Sequence, residues 1–302
     1  MQTLIECVPN ISEGRRTAVI DRAVEAVSGA PGAALLNCSS DEDHNRTVLT
    51  LVGSRDGLKD AIRRLYSVCV ADIDLRLHSG VHPRMGAVDV VPFVPIQSAT
   101  MDDCVVLSRE IGEAIATEFG VPVFLYAKSA VSEQRRLLRN VRKGGFEGLP
   151  AKMRRPEWTP DFGPTSPHPT AGASAIGARP FLIAYNIQLD TPDVRIAESI
   201  ARAVRESSGG LPGVQAMGVF LAARNQAQVS MNVLDFTRTP LLRVFDEVRQ
   251  QAARHGVGIA GSEIVGLIPQ AALPAGAEHA LKIENFRPDL VLEHAIHAHF
   301  GN

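Results

Sequence analysis

Short runs of apolar residues at positions 3–8, 33–38, 47–53 and 87–94 carry the β-branched content and length of strands. Between them Val19, Ile20, Ala23 and Val27 recur at helical spacing, and a second helical stretch covers 56–71. The order is strand, helix, strand, strand, helix, strand, a split βαβ unit. A helix at 101–119 follows, with Val105, Val106, Ile111 and Ile115 near one stripe, and then an apolar strand at 122–127. After residue 180 the first order returns: strand 181–189, helix 193–207, strands 214–221 and 228–234, helix 241–253 and strand 257–267. The stretch beginning at Arg46 answers the one beginning at Gln228, and the strand that closes at Pro95 answers the one that closes at Pro269. This internal repeat predicts an α+β fold of two tandem ferredoxin-like lobes, residues 1–178 and 179–302. Their sheets are expected to face a central groove, the default place for a ligand.

Two stretches break the pattern. Residues 132–143 read as a basic helix or turn. Residues 144–169 are rich in Pro and Gly, which argues against a helix or a central strand. The segment is either a linker or a binding loop; a plain linker would be more polar, so Trp158 and Phe162 argue that it packs against something. Residues 274–283 read as partly helical. The C-terminal stretch with His294, His297 and His299 reads as a frayed helix with solvated histidines rather than a metal site.

Composition narrows the classes without choosing one. The chain has 302 residues, 45% hydrophobic and 21% charged, enough to build a sizeable core in two lobes. A net charge of -2 gives no global basic excess to argue for nucleic acid. Cys7, Cys38, Cys69 and Cys104 form no CxxC pair and read as reduced thiols. No apolar run reaches the ~18 residues of a membrane span, and the N-terminus lacks a signal pattern. A cytoplasmic protein is expected.

The chemistry concentrates between His78 and Pro95, where a loop with His78, His82 and Arg84 enters a strand. Gly80, Pro83 and Gly86 fix the backbone of that loop. Loops anchored on a strand are where catalytic groups are placed most firmly. His82 is the candidate acid–base group and Arg84 the candidate anion holder. The alternative is a loop histidine bonded to backbone. Metal binding by His78 and His82 needs a helix to bring the rings together, and Gly80 with Pro83 opposes one, so no metal is expected.

Seven stretches together are similar to the glutamate formimidoyltransferase family, the formiminotransferase domain that some organisms fuse to a cyclodeaminase. They are the run from Glu6 to Gly14, Asn45-Arg46-Thr, the run from His82 to Pro95, Asp161-Phe-Gly-Pro164, Gly177-Ala-Arg179 with the run from Phe181 to Asn186, Gln228-Val-Ser with Asn232, and the run from Gly261 to Pro269. The resemblance implies transfer of the formimino group from N-formimino-L-glutamate to the co-substrate tetrahydrofolate, late in histidine degradation, by a homodimer. It implies that His82 is catalytic. It also implies that the segment Gly163, Pro164, Thr165, Ser166, Pro167, His168, Pro169, Thr170, Ala171 and Gly172 binds folate. A cyclodeaminase would act as partner.

Formiminoglutamate carries two carboxylates, so Arg84, Arg46 and Arg179 are candidates to hold them, with ion pairs inside the protein as the competing use. Asn10, Asn186 and Asn232 are candidate partners for the pterin ring, or caps at strand ends. The basic residues Arg135, Arg136, Arg139, Arg142, Lys143, Lys152, Arg154 and Arg155 read either as a solvated face or as an attractor for a polyglutamate tail. One departure stands out. Many family members carry Asp where this chain has Asn37 and Ser39, so His82 is expected to be less basic, or to borrow Asp41 or Asp43. Two other readings share these residues: formyl instead of formimino transfer, and a non-catalytic small-molecule binding protein.

Overall fold

The structure is a computed structural model that describes residues 3–284 and 286–301. The chain forms two compact units that divide after Arg179. Both mix helices and sheet.

The first unit contains β1 (Leu4–Cys7), β2 (Asn10–Ile11), α1 (Thr17–Ser28), β3 (Ala33–Asp41), β4 (Arg46–Gly53), α2 (Arg55–Asp72) and β5 (Val88–Gln97). It continues with α3 (Met101–Phe119), β6 (Val123–Ala127), α4 (Leu138–Arg142), α5 (Gly145–Met153) and β7 (Ser174–Ala178). β1 and β2 lie end to end in one lane between β4 and β5, all antiparallel, while β3 forms the far side of β4. β7 then adds parallel to β5, and β6 parallel to β7. Helices α1, α2 and α3 cover one face through buried Val19, Leu58, Ile62, Leu65, Leu107 and Ile111. The long α3 is fixed at both ends. Thr100 and Asp103 form a capping box, and Gly120 closes the helix in the left-handed region at φ 64°.

The opposite face is divided. Its β5-β7-β6 side is covered by a small apolar cluster containing Val90, Phe124, Tyr126, Val141, Leu149, Met153 and Trp158. Helix α5 is part of that cover, which corrects the expectation of an irregular segment at 144–169. Pro150 lies inside α5. It deprives the helix of one donor, but burial of Leu149 and Met153 outweighs that local penalty. Strand β7 was also not expected, because Ser174 to Ala178 set one large apolar side chain, Ile176, among four small residues and give little hydrophobic signal; all five are buried. The solvated-face reading of the basic cluster is likewise corrected for three members. Arg135 pairs with Asp161 at 2.7 Å, Lys152 lies 3.8 Å above the Trp158 ring, and Arg142 reaches Asp89.

The second unit contains β8 (Ile183–Leu189), α6 (Val194–Val204), β9 (Val214–Leu221), β10 (Gln226–Val233), α7 (Leu241–Arg254) and β11 (Ile259–Val265), then short α8 (Ala277–Ala280) and α9 (Leu292–Phe300). Its sheet runs β11-β8-β10-β9, antiparallel throughout. Strand alternation is clean: Ala227, Val229, Met231 and Val233 enter the core under α6 and α7, so Gln228, Ser230 and Asn232 occupy the other face.

Candidate functional site

Two local features aim the charged groups of the first unit. At the β3–β4 turn, Asn45 takes φ 48°, its Oδ1 accepts from Gly14 N (2.9 Å) and its Nδ2 donates to Ser79 O (2.9 Å). A side chain at Gly14 would fall 2.2 Å from Asp41 O, so the turn closes only over glycine. This turn presents Arg46 at the start of β4. Next, Asn10 pairs with Val90 and Ile11 with Val88, so one step on β2 spans two on β5 and Asp89 is the extra residue of a bulge. A carboxylate in the run Val88-Asp-Val-Val91 is thereby turned toward Arg46 instead of being buried alone.

The resulting cluster is compact. Arg46 donates from Nη1 to Asp89 Oδ2 (3.0 Å) and from Nε and Nη2 to Asn10 Oδ1 (2.9 and 2.6 Å). Arg142 Nη2 lies 2.5 Å from the same Asp89 oxygen, and the other oxygen accepts from Met85 N at 2.8 Å. Burial alone would push the Asp89 carboxyl up, but Arg142 and Arg46 outweigh it and hold the group at about 2. Burial, reinforced by Arg142, pulls Arg46 down to about 10. Two guanidinium groups on one carboxylate leave an unmatched positive charge.

His82 borders this cluster, with Nδ1 3.2 Å from Arg46 Nη1 and 2.8 Å from Pro83 O. A carbonyl only accepts and a guanidinium only donates, so the two contacts ask for opposite tautomers; the shorter one, to Pro83 O, is met with the proton on Nδ1, which places the lone pair on Nε2. Burial first, then Arg46 and Arg142, hold the imidazole well below its ordinary value, against a smaller opposing pull from Asp89. The ring is therefore a neutral base at physiological pH, and gives up a proton more readily than an ordinary imidazolium does. Asp41 does not serve it: Asp41 Oδ1 receives His44 N (2.7 Å) and lies 2.9 Å from His44 Nδ1, and the His44 ring is 6.0 Å from that of His82.

The other predicted residues have different surroundings. Arg84 forms a two-pronged pair with Glu147 (2.9 and 2.7 Å) and donates from Nε to His78 Nδ1 (3.0 Å). His78 Nε2, 2.9 Å from Asn45 O, completes a brace for the loop. Arg179 acts on Glu6, Cys7 and Tyr126. Glu6 is buried to 2% exposure, and burial raises its carboxyl to about 7 against the lowering influence of Arg179. Asn10 serves Arg46 rather than standing free.

From Gly163 to Ser166 the candidate folate segment is exposed, and its end is stitched inward. His168 and Gly172 exchange backbone hydrogen bonds (2.8 and 3.0 Å), Leu75 N donates to Thr170 O, and Ala87 N to Ala171 O. At Gly172, φ 70°, a Cβ would meet Met85 O at 2.1 Å, so the segment runs directly against the His82 loop. In the second unit Asn186 and Gln228 both donate to Glu263 Oε1 (2.9 and 3.0 Å). Asn232 lies four residues beyond Gln228 on the same strand face.

Among the described residues no group of three His, Cys, Asp or Glu is arranged to hold a metal. Asp89 is the member of the cluster that sequence reasoning did not single out, and Arg142 was read only as one of a basic group. The available signal was the lone carboxylate inside a buried strand run, which demands a cationic partner.

The comparisons with known proteins cover nearly the whole chain. The formiminotransferase domain, N-terminal subdomain, matches residues 4–179, and the formiminotransferase domain matches residues 184–297. A glutamate formimidoyltransferase of Streptococcus pyogenes serotype M1 is 46% identical over 286 residues, 95% of this chain and 96% of that one. One of Thermoplasma acidophilum is 41% identical over 293 residues, covering 96% of each. The formimidoyltransferase-cyclodeaminase of Gallus gallus is 42% identical over 290 residues, 94% of this chain but 53% of that protein. The chain belongs to the formiminotransferase family.

Proposed function

We propose that this enzyme transfers the formimino group of N-formimino-L-glutamate to tetrahydrofolate, giving 5-formimidoyltetrahydrofolate and L-glutamate, with His82 as the proton carrier. The observation that carries the reading is the setting of His82: Nδ1 faces Pro83 O and Arg46 Nη1, Nε2 carries the lone pair when the proton sits on Nδ1, and unmatched positive charge lies alongside. N5 of tetrahydrofolate attacks the amidine carbon, and Nε2 takes the proton that N5 sheds. The imidazolium then protonates the glutamate nitrogen as its bond to that carbon breaks, which returns His82 to its neutral form. Its lowered affinity for protons weakens the first step and favours the second. Arg46 and Arg142 offer charge to a substrate carboxylate, and Arg84 braces the loop. The segment from Gly163 to Gly172 lines the folate side, supported by its contact with Met85.

The same reading makes each unit a ferredoxin-like lobe, supported by the antiparallel β11-β8-β10-β9 order of the second sheet. It also makes the enzyme a cytoplasmic homodimer with a cyclodeaminase as partner. Four free thiols support the compartment, and the fused relatives support the partner.

The test is incubation of purified protein with tetrahydrofolate and either formiminoglutamate or formylglutamate, followed by mass spectrometry of the folate. A formimidoyl adduct from the first donor is expected. A formyl adduct alone would replace the donor, and folate binding without any adduct would remove catalysis.

A further inference from the structure

We propose that Arg142 and Arg46 together form a seat for one carboxylate of the formimino donor beside His82. This deepens the formimino-transfer reading and rests on it.

The seat is built, not incidental. Arg142 ends α4, and Lys152 Nζ holds that end by donating to Asn140 O (2.7 Å), Val141 O (2.5 Å) and Lys143 O (3.3 Å). Val141, the residue before, is 1% exposed within the small apolar cluster. The helix end is therefore anchored on two sides, and Arg142 is directed at Asp89 at little entropic cost. The side chains of Arg142 and Arg46 are 13% and 9% exposed, and that of Asp89 is closed to solvent.

The charges do not balance. Both guanidinium groups converge on Asp89 Oδ2, and Asp89 Oδ1 is engaged by Met85 N. The remaining neighbours are neutral: the Asn10 amide and the His82 ring. Two other arginines of the unit with little exposed side chain are matched one to one, Arg84 with Glu147 and Arg135 with Asp161. A desolvated, unmatched guanidinium is held at a free-energy cost that an incoming anion removes. Formiminoglutamate, with two carboxylates and a protonated amidine, arrives with one net negative charge. A planar carboxylate suits the guanidinium fork better than a spherical anion does.

The test uses the full chain with Arg142→Gln and Arg142→Lys. Arg142→Gln should raise KM for formiminoglutamate by roughly 10- to 100-fold, the effect of one charge-assisted contact, and leave KM for tetrahydrofolate within about twofold. Calorimetry with L-glutamate, which needs no turnover, should show a matching loss of affinity. Arg142→Lys keeps the charge without the fork and should fall between. The α- and γ-monoamides of formiminoglutamate identify the seated group: one of them should lose affinity in the natural enzyme and lose little more in either variant. Should Arg142→Gln melt early, Arg142→Lys with the two monoamides carries the test. Equal rises in both KM values, unchanged glutamate binding, or full additivity for both monoamides would overturn the seat. Glutamate binding that depends on Arg142 in a protein that transfers no formimino group would keep the seat and sink only the proposed reaction.

Discussion

The two units repeat one order of elements, yet the faces of their sheets that turn away from the helices differ in kind. In the first unit that region carries Arg46, Asp89 and the approach of Arg142, beside His82: charged groups, short of one negative charge. In the second it carries the amides of Asn186, Gln188, Gln228 and Asn232, two of which, Asn186 and Gln228, donate to one carboxylate, Glu263. A β-strand explains how both arise from one pattern. Residues at one parity must be apolar to fill the core, as Leu49 and Leu51 do in β4 and Val229 and Met231 in β10, whereas the other parity is free to diverge. The repeat therefore preserves the fold and says nothing about the chemistry on the free face. The cluster of paired charges belongs to the first unit, and amide donors on a single carboxylate to the second.

The largest expected effect tests the first half of that contrast. His82→Ala should lower turnover by roughly 10²- to 10⁴-fold without moving the thermal midpoint. Near-normal turnover would take the ring out of the reaction. Because burial and the two arginines hold His82 below its ordinary value, the acid limb of kcat/KM should lie below pH ~6.5. Protonation removes the base, so activity falls as pH drops through the folded value. Arg142→Gln should move the limb upward, and an unmoved limb would show that Arg142 does not act on the ring.

Stability gives the next comparison. Asp89→Asn strands two buried guanidinium groups and should cost about 3–5 kcal/mol in urea unfolding. Glu263→Gln, which removes a carboxylate that receives only neutral amides, should cost about 1–2 kcal/mol. Equal costs would mean that the two faces do not differ electrostatically.

Glu6 supplies a pH-resolved version. Its folded value of about 7 lies above the ordinary 4.5, so the folded state alone keeps this proton between those pH values. The unfolded state binds fewer protons there, and stability drops as pH rises from 4.5 to 7, by an amount on the order of 3 kcal/mol. Glu6→Gln should narrow the gap between thermal midpoints at pH 5 and pH 8, and an unchanged gap would assign the loss to another group. The smallest effect is expected at Glu147, whose side chain is 68% exposed. Glu147→Ala should cost less than about 1 kcal/mol. A larger loss would make the Arg84 brace a structural centre.

Hydrophobic period was enough to read most elements of this chain. It gave both helix–strand repeats, because core-facing parity and helical stripes are local properties of the sequence. It failed where locality fails. Strand β7 has four small residues around Ile176, and their burial depends on neighbours far along the chain, while α5 survives Pro150 because it packs in one apolar cluster with Trp158 and Phe124. The site divides in the same way. The resemblance and the Gly- and Pro-marked loop identified His82, and motif membership identified Arg46. Only the folded chain put Arg142 against Asp89 and left Arg84 to Glu147, because which charges meet is decided by a bulge in β5 and the anchored end of α4, neither of which leaves a periodic trace.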